Sequence, residues 1–219
     1  MISGAQSVLL ACETLKDETE EVFSRTGKRL PVRYLPVRHD RPADMRAMLT
    51  RTIDELSDAD FILLAYGYCG GGLEGIGSPS STLVVPKVHD CIDCLLTEEH
   101  RNADFRTGRY FLTRGWLRGK KSLPKKLKAL SQSLGEKRSA EYIKTVYGGY
   151  RSLTLIDDGA YPIKEVFSSA KEAAGVLNLP VERVDGSLSR IEKLITGRWD
   201  EDFLIAAPGQ CVKREALIR

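Results

Sequence analysis

Ala59-Asp-Phe-Ile-Leu-Leu-Ala-Tyr-Gly-Tyr-Cys69 carries a continuous apolar run, Phe61–Ala65, between an acidic turn, Ser57-Asp-Ala-Asp60, and a Gly-rich loop, Gly67–Gly77. A short apolar run bounded by turn signals reads as a strand buried on both faces. Working upstream, Val8–Ala11 and Val32–Leu35 read the same way. Thr14–Phe23 reads as a helix with acids in its first turns. Asp40-Arg-Pro-Ala-Asp44 reads as a helix start, with Met45, Met48, Leu49, Ile53 and Leu56 as its apolar face. Downstream, Leu83–Val85 reads as a fourth strand and Asp90–Leu96 as a short helix. Strands alternating with helices imply parallel βαβ units with both sheet faces covered.

The tail repeats this grammar: strand Leu153–Ile156, helix Lys164–Ala174, strand Val181–Val184, helix Ser187–Ile195 and strand Phe203–Ala206. Its last part matches the opening stretch in letters. Glu201-Asp-Phe-Leu-Ile-Ala-Ala-Pro-Gly-Gln-Cys211 aligns on Ala59–Cys69 without gaps and is identical at five of eleven positions, Asp202, Phe203, Ala207, Gly209 and Cys211. The expected fold is therefore α/β, two Rossmann-like parallel-sheet halves related by an internal duplication, with a central cleft. The alternative is that any two buried αβ units share such letters. The expected segments are 1–104, a first half with a Cys/His cluster; 105–150, a basic and partly helical connection; and 151–219, a second half.

The chain of 219 residues has 42% hydrophobic and 29% charged residues, which excludes disorder, collagen and coiled coil. No apolar run approaches the ~18 residues of a membrane span. Ser7–Ala11 is short and lacks a basic segment before it, so it does not read as a signal peptide. The expected compartment is the cytoplasm, with no membrane partner. Five cysteines are an odd number and, in that compartment, read as thiols or ligands rather than disulfides. The net charge is only +3, but it is segregated: 105–135 holds nine Lys and Arg and no acid, leaving the rest at −6.

Ligands of open parallel sheets bind outside the carboxyl ends of the strands. There stand Cys12-Glu13, His39, Tyr66-Gly-Tyr-Cys69 and His89-Asp-Cys91, with Cys94 three residues on. In the tail, Asp157-Asp-Gly159, Asp185-Gly186 and Pro208-Gly-Gln-Cys211 hold the matching places. Thiolate and imidazole are ligands of zinc and other borderline-soft metals, and three thiolates also hold an iron–sulfur cluster. The competing reading makes each thiol a small buried hydrophobe. The Gly-rich loop is neither a P-loop nor a dinucleotide fingerprint. It reads either as a close approach to a ligand or as a flexible turn. The absence of Gly-x-Ser-x-Gly disfavours an α/β-hydrolase.

The basic segment interleaves Phe105, Tyr110, Phe111 and Trp116, a composition that suits single-stranded nucleic acid. Yet Arg109–Thr113 reads as a strand and Lys120–Leu134 as a solvated helix with Leu123, Leu127 and Leu130 inward. Nucleic acid is therefore the least favoured partner. Trp116 and at least one of Tyr110 and Phe111 are expected to be buried or to line the cleft.

Cys12-Glu13, Tyr66-Gly-Tyr-Cys-Gly70, Pro86-x-x-His-Asp-Cys-Ile92, Tyr110-Phe-Leu-Thr-x-Gly-Trp116 and Asp202-Phe-Leu with Pro208-Gly209 together resemble an uncharacterised prokaryotic domain-of-unknown-function family. Its genes often lie near corrinoid-dependent methyltransferases of methanogens and other anaerobes. At Cys94, Cys211 and Lys120–Lys128 this sequence departs from the family pattern. The resemblance puts the weight on Cys12, Cys69, His89 and Cys91 as metal ligands, zinc first and a 4Fe-4S cluster as the alternative. Glu13 and Asp90 would be proton-transfer groups, and Tyr66, Gly67, Gly70, Thr113 and Trp116 would line a cofactor, corrinoid among the candidates. It implies a metal-dependent enzyme or accessory protein of corrinoid-linked methyl transfer, with a small molecule or a corrinoid protein as partner. The alternatives are a non-catalytic corrinoid or metal carrier and, third, a nucleic-acid binder. Cys12, Cys69 and Cys91 are expected to converge, because each follows a parallel strand.

Overall fold

The computed structural model describes residues 6–119 and 122–218. Its elements in chain order are β1 Ser7–Cys12, α1 Lys16–Thr26, β2 Val32–Leu35, α2 Pro42–Asp54, β3 Phe61–Ala65, β4 Thr82–Pro86, α3 Ala103–Arg106, β5 Arg109–Leu112 and α4 Arg114–Arg118. They continue as α5 Leu123–Tyr147, β6 Ser152–Asp157, α6 Lys164–Leu177, β7 Val181–Asp185, α7 Ser189–Thr196, β8 Phe203–Ala206 and α8 Arg214–Leu217. They form two compact units, Met1–Leu95 with Leu188–Arg219, and Leu96–Ser187.

The first unit holds a five-stranded sheet of order β2-β1-β3-β4-β8. The first four strands are parallel, with Ala11 opposite both Tyr34 and Ala65. The apolar runs that mark these strands are buried because both faces are covered. On one face Leu10, Ile62, Leu64, Leu83 and Val85 meet Met45, Leu49 and Ile53 of α2 in a single core. The 3.6-residue spacing of those three side chains is why α2 is helical and why it lies on this face. α1 packs on α7, which covers β3 and β4.

β8 overturns the expected duplication. It pairs antiparallel with β4, Leu83 opposite Ala206 and Pro86 opposite Phe203, and so joins the first sheet as an edge strand. The strand it was aligned with, β3, is central and parallel. The shared letters record one need, an apolar strand running into a Gly turn, and do not record strand direction. The chain thus divides differently from the three segments 1–104, 105–150 and 151–219: residues from Leu188 onward return to the first unit because β8 and α7 bury their apolar sides there.

The second unit holds a three-stranded parallel sheet, β5-β6-β7. Leu153 and Leu155 of β6 pack with Leu112, Leu123, Leu127, Val166, Ala170 and Ala173. Helix α5 buries Leu123 and Leu127 as the sequence indicates, while Leu130 is only half-buried; Lys120 and Lys121 lie outside the described residues. It runs on to Tyr147 through a break at Gly135 (φ 74°). Tyr110, Phe111 and Trp116 are all half-buried. Asp90–Leu96 forms successive turns that end in a bridge from Leu96 to Gly186 rather than a helix. Among the described residues no helix is long and apolar enough to cross a membrane.

Candidate functional site

β1, β3 and β4 are neighbours in one parallel sheet, so their carboxyl ends open on one edge. Cys12 is the last residue of β1, Tyr66 follows β3 directly, and the loop after β4 runs through Lys87 to Cys91. The loops after β3 and β4 are fastened to each other. Tyr68 N donates to Val88 O at 3.0 Å and Cys69 N to His89 O at 2.8 Å. The contact requires glycine at 67, where a Cβ would lie 2.4, 2.5 and 2.6 Å from the Cα, carbonyl carbon and nitrogen of Asp90.

The chain then turns sharply through three consecutive left-handed residues, Cys69 (φ 47°), Gly70 (φ 67°) and Gly71 (φ 99°). A cysteine in that region bears strain of about 1 kcal/mol that a glycine would not. The rest of the loop is tied down as well: Arg46 of α2 donates to Gly71 O at 2.9 Å, and the Tyr68 hydroxyl donates to Glu74 Oε2 at 3.2 Å.

Cys91 sits in a turn closed by two carboxylates. Asp93 Oδ2 accepts from His89 N and Asp90 Oδ1 accepts from Asp93 N, both at 2.8 Å. Thr14, 1% exposed, donates to Cys12 Sγ at 3.1 Å. The same side chain acts to lower Cys91, which places two of the thiols near one side chain.

The electrostatics show that the three thiols share a neighbourhood. Burial is the largest cause raising Cys12, Cys69 and Cys91 above the ordinary thiol value; Cys69 is pushed up to about 12. The charge of Cys12 raises Cys69 and Cys91, and Cys69 raises Cys91 in turn. Asp90 raises Cys69 and Cys91, and Glu13 raises Cys12. Opposing this, backbone hydrogen bonds from Cys91 and Gly67 favour the Cys69 thiolate. Tyr66, 2% exposed, is driven well above the ordinary phenol value by burial and then by Cys12, Cys69, Cys91 and Glu13. All five cysteines are free thiols. At neutral pH the three at this site are therefore protonated. Among the described residues no group of three or more His, Cys, Asp and Glu side chains is arranged to hold a metal ion.

The structure thus groups Cys12, Cys69, Cys91 and Tyr66, with Glu13 and Asp90 close enough to act on them. Glu13 is exposed and its Oε1 accepts from Val37 N at 3.0 Å. His89 differs from the thiols: it is solvent-exposed, and its backbone rather than its ring is built into the site. Gly70 is exposed at the turn, while Gly67 is the interloop contact. Thr113 and Trp116 belong to the second unit, where Thr113 Oγ1 caps α4 by accepting from Trp116 N at 3.4 Å. Cys94 is fully buried, and Cys211 is exposed beside Gly77. Thr14 is the member that sequence reasoning missed. Its only signal was its place two residues after Cys12. A cavity of about 520 Å³ in the second unit, lined by Ile143, Tyr147, Tyr150 and Leu177 among others, contains no thiol.

A family model described as "Protein of unknown function (DUF1638)" matches residues 36–195, which include Tyr66, Cys69 and Cys91. No curated protein and no solved structure matches the chain.

Proposed function

We propose that this chain, which belongs to the DUF1638 family of proteins of unknown function, is a thiolate-metal protein that takes its metal on Cys12, Cys69 and Cys91. One observation carries the reading: three thiols from positions far apart in sequence meet at one sheet edge, around a buried tyrosine hydroxyl that no side chain or backbone group among the described residues satisfies. The charged groups acting on these thiols are acids: Glu13 and Glu18 raise Cys12, Cys12 and Asp90 raise Cys69, and Cys69, Cys12 and Asp90 raise Cys91. Such a set suits a cation, whose charge reverses those shifts. The donors are soft, which selects zinc or an iron–sulfur cluster over magnesium or calcium.

When bound, zinc supplies Lewis acidity that keeps a sulfur nucleophile deprotonated. The chain's own residues do the rest. The Thr14 hydroxyl donates to the Cys12 sulfur, and the N–H groups of Cys91 and Gly67 hold negative charge on the Cys69 sulfur. Glu13 and Asp90 stand where they can pass to solvent the protons that the thiols release. The interloop hydrogen bonds of Tyr68 and Cys69 fix the separation of two of the three donors. Read with the family resemblance, the site serves methyl or other group transfer in corrinoid-linked metabolism.

The test is metal analysis and an absorption spectrum of the full chain purified without oxygen and supplied with zinc or with iron and sulfide. Stoichiometric zinc, or a brown cluster, is expected. Cys12→Ser, Cys69→Ser and Cys91→Ser should each lose the metal, while Cys94→Ala and Cys211→Ser keep it. A chain that takes up neither metal, or keeps it in all three serine variants, refutes the reading.

A further inference from the structure

Helix α5 is out of proportion to what it buries. After the break at Gly135 it runs on from Glu136 to Tyr147, and in that stretch Ser139 is the only buried residue. Ile143 and Tyr147 are half-buried against the second unit's core, and the cavity of about 520 Å³ is lined by this stretch and by the end of α6. A helix of about a dozen residues is marginal in water unless a neighbour covers one of its faces. Its own unit covers this one poorly.

The outer face does not have the composition of a solvated surface. Among the described residues six large apolar side chains are exposed, and five of them, Leu134, Tyr142, Val146, Phe167 and Val176, stand on α5 and α6. Such a concentration marks a surface that another macromolecule covers. A spacing of four puts Arg138, Tyr142 and Val146 in one stripe, with Glu141 along its edge. Charge narrows the choice of partner. Lys137, Arg138 and Lys144 stand against Glu136 and Glu141, a near balance that gives nucleic acid, an anionic membrane or an acidic protein little to hold.

The stripe is instead complementary to itself. Two copies laid antiparallel about a two-fold axis at the level of Ala140 bring Arg138 of each opposite Tyr142 of the other and within reach of the other's Glu141. Each guanidinium then meets a ring face and a carboxylate at once, and both contacts occur twice. We propose that this part of α5 is a homodimer interface. A second copy of the chain lies antiparallel along it, with Tyr142 and Val146 buried between the two helices. The contact steadies the half of α5 that its own unit leaves exposed, and it is independent of the thiols.

The test is sedimentation equilibrium of the full chain, with circular dichroism to check that each variant keeps its helices. A contact about 18 Å long is smaller than a standard interface, so a dissociation constant on the order of 10 µM is expected. Tyr142→Glu should weaken the dimer by roughly thirtyfold or more. Arg138→Glu should weaken it by roughly tenfold, and adding Glu141→Arg should restore it, because the charges then meet with their signs exchanged. Ile205→Glu, at the exposed apolar residue of β8, should leave the dimer unchanged. A wild type that is monomeric at about 200 µM, a dimer that survives Tyr142→Glu, a charge exchange that fails to restore it, or equal loss in Ile205→Glu would each overturn the proposal. So would a monomeric wild type that sediments with phosphatidylglycerol vesicles, which would make the stripe a membrane-facing surface.

Discussion

Gly67→Ala is the sharpest perturbation the structure offers. A Cβ at 67 would sit 2.4–2.6 Å from three backbone atoms of Asp90, where ordinary contact begins near 3.4 Å. No side chain can swing away to relieve this, so the loops after β3 and β4 must part by about 1 Å. That displacement lengthens Tyr68 N to Val88 O from 3.0 Å, and Cys69 N to His89 O from 2.8 Å, to about 4 Å, beyond hydrogen-bond reach. Two lost hydrogen bonds at about 1 kcal/mol each, with an overpacking term of about 1–3 kcal/mol reduced by the relaxation, give a destabilisation of roughly 2–4 kcal/mol. The same shift carries Cys69 away from Cys91, so metal uptake should fall as well. Gly75→Ala is the control. Its φ is 76° and its Cβ would meet open space, so only the left-handed strain of about 1 kcal/mol applies. Urea unfolding of the two variants beside wild type measures the difference. A Gly67→Ala protein within 0.5 kcal/mol of wild type, with normal metal content, would refute the claim that this close approach builds the site.

Stability of the metal-free protein should fall as pH rises above about 9. The unfolded chain gives up its thiol protons there, whereas burial holds Cys12 and Cys91 above that value and Cys69 up to about 12. The contribution is intact below pH 9 and is lost at up to about 1.4 kcal/mol per thiol per pH unit above it; a melting temperature flat from pH 8 to pH 11 would contradict this, and bound metal should remove the dependence. Asp93→Ala should cost about 2 kcal/mol by chemical denaturation, because it leaves His89 N without the carboxylate that accepts it in a turn whose Asp93 side chain is 1% exposed; a change below 0.5 kcal/mol would show that the Cys91 turn does not depend on that cap.

The parallel strands β1 to β4 and the apolar face of α2 were legible because burial imposes a period on side chains, and periods survive in sequence. Direction does not. A run such as Phe203–Ala206 buries the same residues whether it runs with β4 or against it, so its antiparallel pairing and its place in the first sheet depended on where α7 returned the chain. Asp90–Leu96 misled for a related reason. Cys91, Ile92, Leu95 and Leu96 are all buried, as in a helix, but after Cys94 N bonds Asp90 O the chain tightens, Leu95 N bonding Ile92 O, and Leu96 leaves in a bridge to Gly186. The second part of α5 went unread because Ser139 is its only buried residue. Its contacts with the core come from two half-buried side chains, Ile143 and Tyr147.

Strand ends are also why Cys12, Cys69 and Cys91 could be gathered before any coordinates. Adjacent parallel strands deliver their carboxyl ends to one edge whatever their spacing along the chain. His89 satisfied the same rule and still points to water, since the rule places a backbone and the turn decides which way each side chain faces. Whether a hydroxyl is satisfied is a property of every atom within reach, and no window of sequence contains it. Thr14 and Tyr66 show both outcomes. One hydroxyl is spent on the Cys12 sulfur. The other is buried beside three and spent on none, a fact that the strand order gathering the thiols does not contain and only the packed structure shows.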